Sequence, residues 1–147
     1  MSAEMGSMIQ KQTIFYVDDN KKSRLLLASI LRQIGYEVIA VGDPLDAIEM
    51  LEVANFDLVL ADYDMPTMNG AQLARAIKGI FPGVPIVMIS GHAALPEEAL
   101  LYVDQYCGKG ATLDELVFSI HSLIAASNAA TRRAGKGDSP QMWASST

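Results

Sequence analysis

Cysteine, tryptophan and long apolar runs are scarce in this sequence of 147 residues, which holds one cysteine and one tryptophan. The lone Cys107 excludes an internal disulfide and a metal site made of several thiolates. No apolar run approaches the roughly 20 residues that cross a bilayer, and the N-terminus lacks the basic and apolar regions of a signal peptide. We therefore expect a soluble, cytoplasmic protein that makes no membrane contact.

Positive charge is also in short supply. The sequence has 11 Lys and Arg residues against 17 Asp and Glu residues, which gives a net charge of −6. Because binding to nucleic-acid phosphates needs clustered basic residues, we expect no direct nucleic-acid partner. The hydrophobic share of 50% and the charged share of 19% are those of an ordinary globular protein, and the length suits one domain.

What the sequence does contain is a regular alternation of two patterns. Short apolar runs of strand length alternate with segments whose apolar residues recur at helical spacing. The predicted strands cover residues 13–17, 36–41, 57–61, 85–89 and 105–108, and the predicted helices include 26–34, 44–51, 69–79, 96–103 and 112–125. Five such βα units predict an α/β fold, a doubly wound five-stranded parallel sheet of the flavodoxin-like type with strand order 2-1-3-4-5.

Several residues indicate where the helices begin and end. Gly35 suits the end of the first helix, Asp43 and Pro44 suit the start of the second, and Thr112-x-x-Glu115 is a capping box that opens the last. Two helices show long apolar stripes. The first consists of Leu26, Leu27, Ile30, Leu31 and Ile34, and the last of Leu113, Leu116, Val117, Ile120, Leu123 and Ile124.

Polar side chains follow four of the predicted strands. Asp18 and Asp19 follow the first strand, Asp62 the third, Ser90 the fourth and Lys109 the fifth. Strands 1 and 3 are neighbours in the predicted order, and the carboxyl ends of all five strands share one edge of the sheet. We therefore expect these five side chains to gather in one cleft.

The charges in that cleft suggest its chemistry. Three carboxylates repel one another unless a cation intervenes, and Mg²⁺ prefers hard oxygen ligands of this kind. Asp62 could attack a phosphoryl group and form an aspartyl phosphate. The metal and Lys109 would neutralise the oxygens of the transition state, and Ser90 would hydrogen-bond the product phosphoryl group.

These residues stand in ordered motifs. They are Val17-Asp18-Asp19, Asp62-x-x-Met65-Pro66-x-Met68-x-Gly70, Ser90 after an apolar strand, and Lys109. Together they resemble the receiver domain of bacterial two-component response regulators, of the small, single-domain chemotaxis-regulator type. The resemblance covers residues 12–125. We expect residues 1–11 to be a disordered or tag-like N-terminus and residues 126–147 to be a flexible tail or linker.

The resemblance implies a regulatory phosphoacceptor that catalyses only its own phosphorylation and dephosphorylation. The donor would be a sensor histidine kinase or a phosphotransfer protein, and the cofactor Mg²⁺ or Mn²⁺. Phosphorylation would re-form the surface of the fourth helix, fifth strand and fifth helix for an unidentified downstream protein, in a monomer or weak homodimer. The implied roles are Asp62 as phosphoacceptor, Asp18, Asp19, Asp62 and the main-chain carbonyl of Asp64 as metal ligands, and Ser90, Lys109 and Tyr106 as phosphoryl-binding and switch residues.

Asp64 and His92 lie two positions after Asp62 and Ser90. In the family such positions border the phosphoryl group and tune its hydrolysis, although both could equally be plain exposed residues. Three departures from the family pattern affect the details. Gly110 stands where a cis-proline is usual, which predicts a trans bond and a looser Lys109 loop. The interval from Ser90 to Lys109 is short, which predicts a fourth helical region shorter by a turn. Gly91 predicts a more mobile loop.

Other interpretations stay open at this point. Asp18-Asp19 could be an Asx turn that caps the first helix, and Tyr106 could serve packing alone. Asp62-Tyr63-Asp64 is also similar to the Asp-x-Asp motif of haloacid-dehalogenase-type phosphatases, although there the motif ends the first strand. Finally, the chain could be a receiver-like module that binds a protein without accepting phosphate.

Overall fold

The computed structural model describes residues 11–128, and it contains one five-stranded parallel sheet. The strand order is β2-β1-β3-β4-β5, so the predicted α/β fold and strand order are confirmed. Apart from residue 11, the predicted N-terminal extension lies outside the described residues, as does the predicted tail beyond residue 128. The strands are β1 (Thr13–Val17), β2 (Glu37–Val41), β3 (Leu58–Asp62), β4 (Ile86–Ser90) and β5 (Gln105–Gly108).

Helices cover both faces of the sheet. The helices are α1 (Lys21–Ile34), α2 (Pro44–Leu51), α3 (Gly70–Ile80) and a C-terminal helix that begins at residue 113 and is helical through residue 128. α1 and the C-terminal helix pack on one face, and α2 and α3 on the other. Within the described part of the chain, no helix is long and apolar enough to cross a membrane.

Strand β3 is the centre of the sheet, and all five of its residues are buried. It pairs with β1 in a register that sets Tyr16 beside Leu60 and Val17 beside Ala61. Because the strands are parallel and pair in this register, β1 and β3 end side by side at the same edge. The residues that follow them must therefore lie close together.

The turns after the strands lead directly into capped helices. The Asn20 side chain accepts a hydrogen bond from the Ser23 amide at the start of α1. The Asn69 side chain does the same for the Gln72 amide at the start of α3, in a complete capping box. These caps satisfy amide groups that a helix leaves free, and they fix the short loops that carry the polar residues.

The remaining predicted helix ends are also present. α1 ends at Gly35, which has a φ of 128° that favours glycine. The Asp43 side chain caps α2, and Pro44 is the first residue of that helix. At the last helix, Thr112 and Glu115 bond each other's amides at 2.8 and 3.1 Å, as the predicted capping box requires.

The predicted fourth α-helix is wrong: the structure has a single 3₁₀ turn, Glu97–Leu100. Ala99 is the one buried residue of this turn, while Leu101 beside it is 70% exposed. Because this turn buries only one residue against the rest of the domain, little packing supports a longer helix between β4 and β5. The turn is shorter than the helix predicted over residues 96–103, and the expected shortening relative to the family stays a prediction.

The apolar stripe of α1 also differs from its prediction. Ala28 and Leu31 are the buried residues of the helix, whereas Leu26 is 65% exposed and Ile34 also faces solvent. The helix is turned so that a small residue, Ala28, lies against the sheet. The sequence contains more large apolar residues on α1 than this face can bury, so spacing alone did not identify the buried ones.

Gly70, the first residue of α3, lies against the end of β3. A Cβ at this position would be 2.7 Å from the Asp62 carbonyl oxygen and 2.9 Å from the Tyr63 Cα. The Gly70 amide also donates to the Tyr63 carbonyl at 2.8 Å. Only a residue without a side chain allows α3 to begin so close to the residue that ends β3.

We predict that Gly70→Ala lowers the free energy of unfolding by about 1–3 kcal/mol, because backbone atoms must move to admit the methyl group. Gly79→Ala is the matched control in the same helix, where no atom lies within 4 Å of the added carbon. That change should raise stability by up to about 0.5–1 kcal/mol through helix propensity. Urea unfolding of both variants measures the difference. Equal stability of the two would contradict the close contact.

Candidate functional site

The site lies at the carboxyl edge of the sheet, where β1 and β3 end. Oxygens of the Asp18, Asp19 and Asp62 side chains lie within 4.8 Å of one another. Asp18 and Asp62 are each only 3% exposed, whereas Asp19 faces solvent. The structure therefore brings together the three carboxylates that the strand order places at one edge.

Asp18 is held at every polar atom. Its amide donates to the Val41 carbonyl at 3.1 Å, and its own carbonyl accepts from the Arg24 guanidinium at 2.8 Å. One carboxylate oxygen accepts from the Asn20 amide at 3.0 Å. The other accepts from the Tyr16 hydroxyl at 2.7 Å. The orientation of this carboxylate is thus fixed by the fold.

The Asx-turn interpretation describes one of these contacts. The bond from the Asn20 amide to the Asp18 side chain is a local contact of that type. The residue whose side chain caps α1, however, is Asn20. Asp18 makes its turn contact with one oxygen and still belongs to the carboxylate cluster, so the two interpretations do not exclude each other.

Asp62 and Lys109 form an ion pair across the site. The Lys109 Nζ lies 3.1 Å from Asp62 Oδ1. That oxygen makes no other polar contact that meets hydrogen-bond geometry within residues 11–128, so its charge is compensated by the Lys109 ammonium alone. Asp62 Oδ1 is therefore a buried anionic oxygen that depends on one partly exposed lysine, and such an atom is costly to bury.

The pKa shifts agree with this picture. Burial raises the pKa of Asp62 and the Asp18 charge raises it further, while Lys109 opposes both. Burial alone would lower the pKa of Lys109, but Asp62, Asp18 and Asp64 outweigh it and the net shift is upward. Lys109 is thus held in its charged form, and one lysine faces several carboxylates. Lys109 alone therefore does not neutralise these carboxylates, and a further positive charge at the site would be stabilised.

The residues present fit a hard divalent cation. Three carboxylates from two adjoining strand ends offer oxygen ligands, and within residues 11–128 one buried oxygen among them has only the Lys109 ammonium as a partner. Mg²⁺ is bound in proteins by few carboxylates together with water and phosphate oxygens. Within residues 11–128 no nitrogen or sulfur ligand accompanies the three carboxylates, so their chemistry does not favour a softer metal.

Ser90 and Lys109 lie next to this cluster at the ends of β4 and β5. Ser90 is fully buried, and its hydroxyl oxygen accepts a hydrogen bond from the His92 amide at 3.0 Å. Its carbonyl accepts from the Lys109 amide at 2.7 Å. The turn continues with the Ala111 amide, which donates to the Gly108 carbonyl at 2.9 Å. These bonds fix where the Lys109 chain leaves the sheet.

The bond after Lys109 is trans, as the presence of Gly110 predicts, since residues 11–128 contain no cis peptide bond. One backbone hydrogen bond, from the Lys109 amide to the Ser90 carbonyl, ties the loop to β4, and a second, from the Ala111 amide to the Gly108 carbonyl, closes the turn itself. The looser Lys109 loop and the more mobile loop at Gly91 stay predictions.

Asp64 and His92 contact each other. The His92 Nε2 lies 2.9 Å from Asp64 Oδ1, and the Tyr63 and His92 rings meet edge to face with centroids 5.7 Å apart. The Tyr106 hydroxyl donates to the His92 carbonyl. The sequence suggested separate roles for Asp64 and His92, but their pairing depends on how two loops approach and has no sequence signal.

Sequence reasoning did not single out Tyr16 or Arg24, both of which hold Asp18. A signal for Tyr16 was present. Side chains two positions apart in a strand point to the same face, so Tyr16 lies on the same side as Asp18. Arg24 carries no comparable signal, because it lies in α1 and contacts the main-chain carbonyl of Asp18, not a side chain.

A profile of the response regulator receiver domain matches residues 14–118 of the chain. Among curated proteins, the putative two-component response regulator ARR21 of Arabidopsis thaliana is 35% identical over 96 residues, which are 64% of this chain and 16% of that protein. The sensor histidine kinase RcsC of Escherichia coli is 32% identical over 104 residues, which are 69% of this chain and 11% of the kinase. The chain thus spans only a small part of these relatives' length.

Solved structures give the same result. A response regulator receiver protein from Sinorhizobium medicae is 35% identical, with a TM-score of 0.73 over 80% of this chain and 98% of that chain. The response regulator TrrA of Thermotoga maritima, solved with Mg²⁺ and BeF, is 26% identical, with a TM-score of 0.72 over 76% of this chain and 98% of that chain. With its sheet order, its acidic cluster and the match over residues 14–118, the chain belongs to the response regulator receiver domain family of two-component signalling.

Proposed function

We propose that the chain is a phosphoacceptor that receives a phosphoryl group on Asp62. The observation that supports this most directly is the buried Asp62 oxygen, which lies between an acidic pair and Lys109 and has that lysine as its one compensating partner within residues 11–128. In the transfer, an Asp62 oxygen forms a bond to phosphorus. The bond from phosphorus to the donor atom breaks, and the donor atom keeps its electron pair.

Charge compensation around Asp62 comes from two sides. Asp18, Asp19, Asp62 and the main-chain carbonyl of Asp64 would hold Mg²⁺ or Mn²⁺, which when bound neutralises phosphoryl oxygens. Lys109 approaches Asp62 at 3.1 Å and would neutralise phosphoryl oxygens from the β5 side. Because Asp18 is held at all its polar atoms, this member of the acidic cluster does not have to rearrange on binding.

The response would pass through the main chain of His92. Its amide donates to the Ser90 hydroxyl, and its carbonyl accepts from the Tyr106 hydroxyl. When the Ser90 hydroxyl donates a hydrogen bond to a phosphoryl oxygen, its side chain turns towards the phosphoryl group. The hydrogen bond that it accepts from the His92 amide is then weakened, and the His92 peptide can move. Movement of the peptide then releases or redirects Tyr106, which makes Tyr106 a switch residue and not packing alone.

The donor would be a sensor histidine kinase or a phosphotransfer protein, because several similar sequences are segments of sensor kinases. The output would be contact with a downstream protein at the surface formed by the 3₁₀ turn, β5 and the C-terminal helix. The receiver family is regulatory, and the chemistry proposed for this chain is limited to its own phosphoryl group. A monomer or weak homodimer suffices for these steps.

The other interpretations have less support. The Asp62-Tyr63-Asp64 sequence ends the third strand, and the haloacid-dehalogenase interpretation leaves the Asp18–Asp62 proximity without a role. A receiver-like module that binds a protein without accepting phosphate keeps the same fold and family. Only phosphoryl transfer itself distinguishes that module from a phosphoacceptor.

We predict that incubation with acetyl phosphate and Mg²⁺ adds one phosphoryl group to the protein, seen by intact-mass spectrometry. Asp62→Asn should abolish the adduct, because an amide is a far weaker nucleophile than a carboxylate. Chelation of Mg²⁺ should abolish it as well. Asp46→Asn, which removes an exposed carboxylate from α2, is the control and should leave the adduct in place. A wild-type protein that gains no mass would refute the phosphoacceptor and favour the binding module.

We also predict that His92→Ala shortens the lifetime of the phosphoryl group severalfold. The His92–Asp64 pair bridges the loops after β4 and β3, and its loss opens a path for water to the phosphorylated Asp62. His92→Gln, which can still hydrogen-bond Asp64, should have a smaller effect. The decay of the mass adduct after donor removal measures the lifetime.

His121→Ala on the exposed side of the C-terminal helix is the matched control. It should leave the decay unchanged. If His92→Ala and His121→Ala both decay like the wild type, His92 and Asp64 are plain exposed residues and tune nothing.

A further inference from the structure

We propose that Tyr16 is a positioning residue for the divalent cation, because its hydroxyl holds the Asp18 carboxylate in the orientation that the cation requires. This inference rests on the proposed function, since it concerns how the same site binds its metal. Tyr16 lies in β1, two residues before Asp18, and is 1% exposed. Its hydroxyl donates to Asp18 Oδ2 at 2.7 Å.

The Tyr16 ring has no freedom to follow a moving carboxylate. It is among the largest fully buried side chains of the structure, and β1 is paired on both sides. Its neighbours in the pairing register are Ala40 of β2 and Leu60 of β3. A ring packed in this way holds its hydroxyl in one position, and the carboxylate oxygen that accepts from this hydroxyl is held in place with it.

The chemistry of the two groups also determines that Tyr16 is the donor and Asp18 the acceptor of this hydrogen bond. A buried phenol needs a hydrogen-bond partner, and within residues 11–128 the Tyr16 hydroxyl has Asp18 alone. A carboxylate oxygen can only accept a hydrogen bond, so the Tyr16 hydroxyl is the donor in this contact. The phenol therefore orients Asp18 without adding charge to a site that already holds several carboxylates.

The two adjacent acids differ in how they are held. Each Asp18 oxygen has one donor, the Tyr16 hydroxyl on one and the Asn20 amide on the other. The Asp19 side chain is exposed and accepts no hydrogen bond from residues 11–128. Asp18 is thus a ligand in place before the metal arrives, whereas Asp19 must be ordered by it. Removing the Tyr16 hydroxyl would remove one of the two hydrogen bonds that orient the Asp18 carboxylate.

Groups that hydrogen-bond metal ligands fix their orientation, and their loss typically weakens metal affinity by about 10–100-fold. We expect Tyr16→Phe to weaken Mg²⁺ binding by about tenfold, the lower end of that range, because the Asn20 amide still holds the other oxygen. Isothermal titration of MgCl₂ into the protein, without any phosphodonor, gives the dissociation constant directly.

Tyr36→Phe is the matched control. Tyr36 is a second buried tyrosine of the same core layer, between α1 and the sheet, and its hydroxyl has no hydrogen bond within residues 11–128. Each variant removes one phenol oxygen from a tyrosine of this core layer, so both report any general effect of that loss on the core, whereas only Tyr16 contacts Asp18. Only Tyr16→Phe should change the Mg²⁺ dissociation constant, and Tyr36→Phe should match the wild type.

The outcomes separate the two proposals. If the wild type binds Mg²⁺ and Tyr16→Phe binds it as tightly or more tightly, the positioning role is refuted and the phosphoacceptor stands. If both tyrosine variants weaken Mg²⁺ binding equally, the effect belongs to the core, and the positioning role is again refuted. If the wild type itself does not bind Mg²⁺, the proposed metal site fails, and this inference fails with it.

A measurement on the wild type covers the case in which Tyr16→Phe does not fold. In protein labelled with ¹³C at the tyrosine ring, the Tyr16 resonance should shift during a Mg²⁺ titration, because its acceptor becomes a metal ligand. Its midpoint should equal that of the Asp62 amide, and the Tyr36 resonance should stay in place. A Tyr16 resonance that does not respond would refute the role.

Discussion

The crowding of buried negative charge at the ends of β1 and β3 is the constraint on which the site depends. Asp18 and Asp62 are almost fully buried, and parallel pairing of two neighbouring strands leaves them no way to separate. The fold compensates this repulsion with groups fixed on all sides: Lys109 from β5, the Asn20 amide from the start of α1, and the Tyr16 hydroxyl from within β1. The incomplete compensation at Asp62 is the basis of the cation binding and phosphoryl transfer proposed for this site.

Rigid and movable parts of the site are separated in the structure. The acids stand at the ends of central, fully paired strands, and Gly70 brings the start of α3 against the end of β3. The groups proposed to respond meet at the start of the loop after β4, where the His92 amide donates to the Ser90 hydroxyl and the His92 carbonyl accepts from the Tyr106 hydroxyl. A change of charge at the rigid acids can therefore act on a loop held by a few hydrogen bonds, without disturbing the sheet.

Much of this could be predicted from sequence, because local rules determine it. Strand periodicity placed β1 and β5 to the residue, and the order 2-1-3-4-5 predicted that Asp18 and Asp62 meet. The features that could not be predicted depend on tertiary packing. The turn of α1 about its axis decides that Ala28 is buried and Leu26 is not, and the meeting of two loops pairs Asp64 with His92. The prediction of a fourth helix was wrong for a related reason, since a helix of that length forms only where enough of it can be buried.

The 3₁₀ turn has a consequence for the cooperativity of the fold. In the described chain β5 pairs with β4 alone, and the segment that leads into it contributes one buried residue, Ala99, from its helical turn. Regions with few buried apolar contacts open by partial unfolding at a lower free energy than the centre of a domain. Amide protons of β5 would then exchange through openings of the sheet edge, while those of β1 and β3 report unfolding of the whole domain. An edge that opens separately in this way can be remodelled by a partner without unfolding the strands that carry the acids.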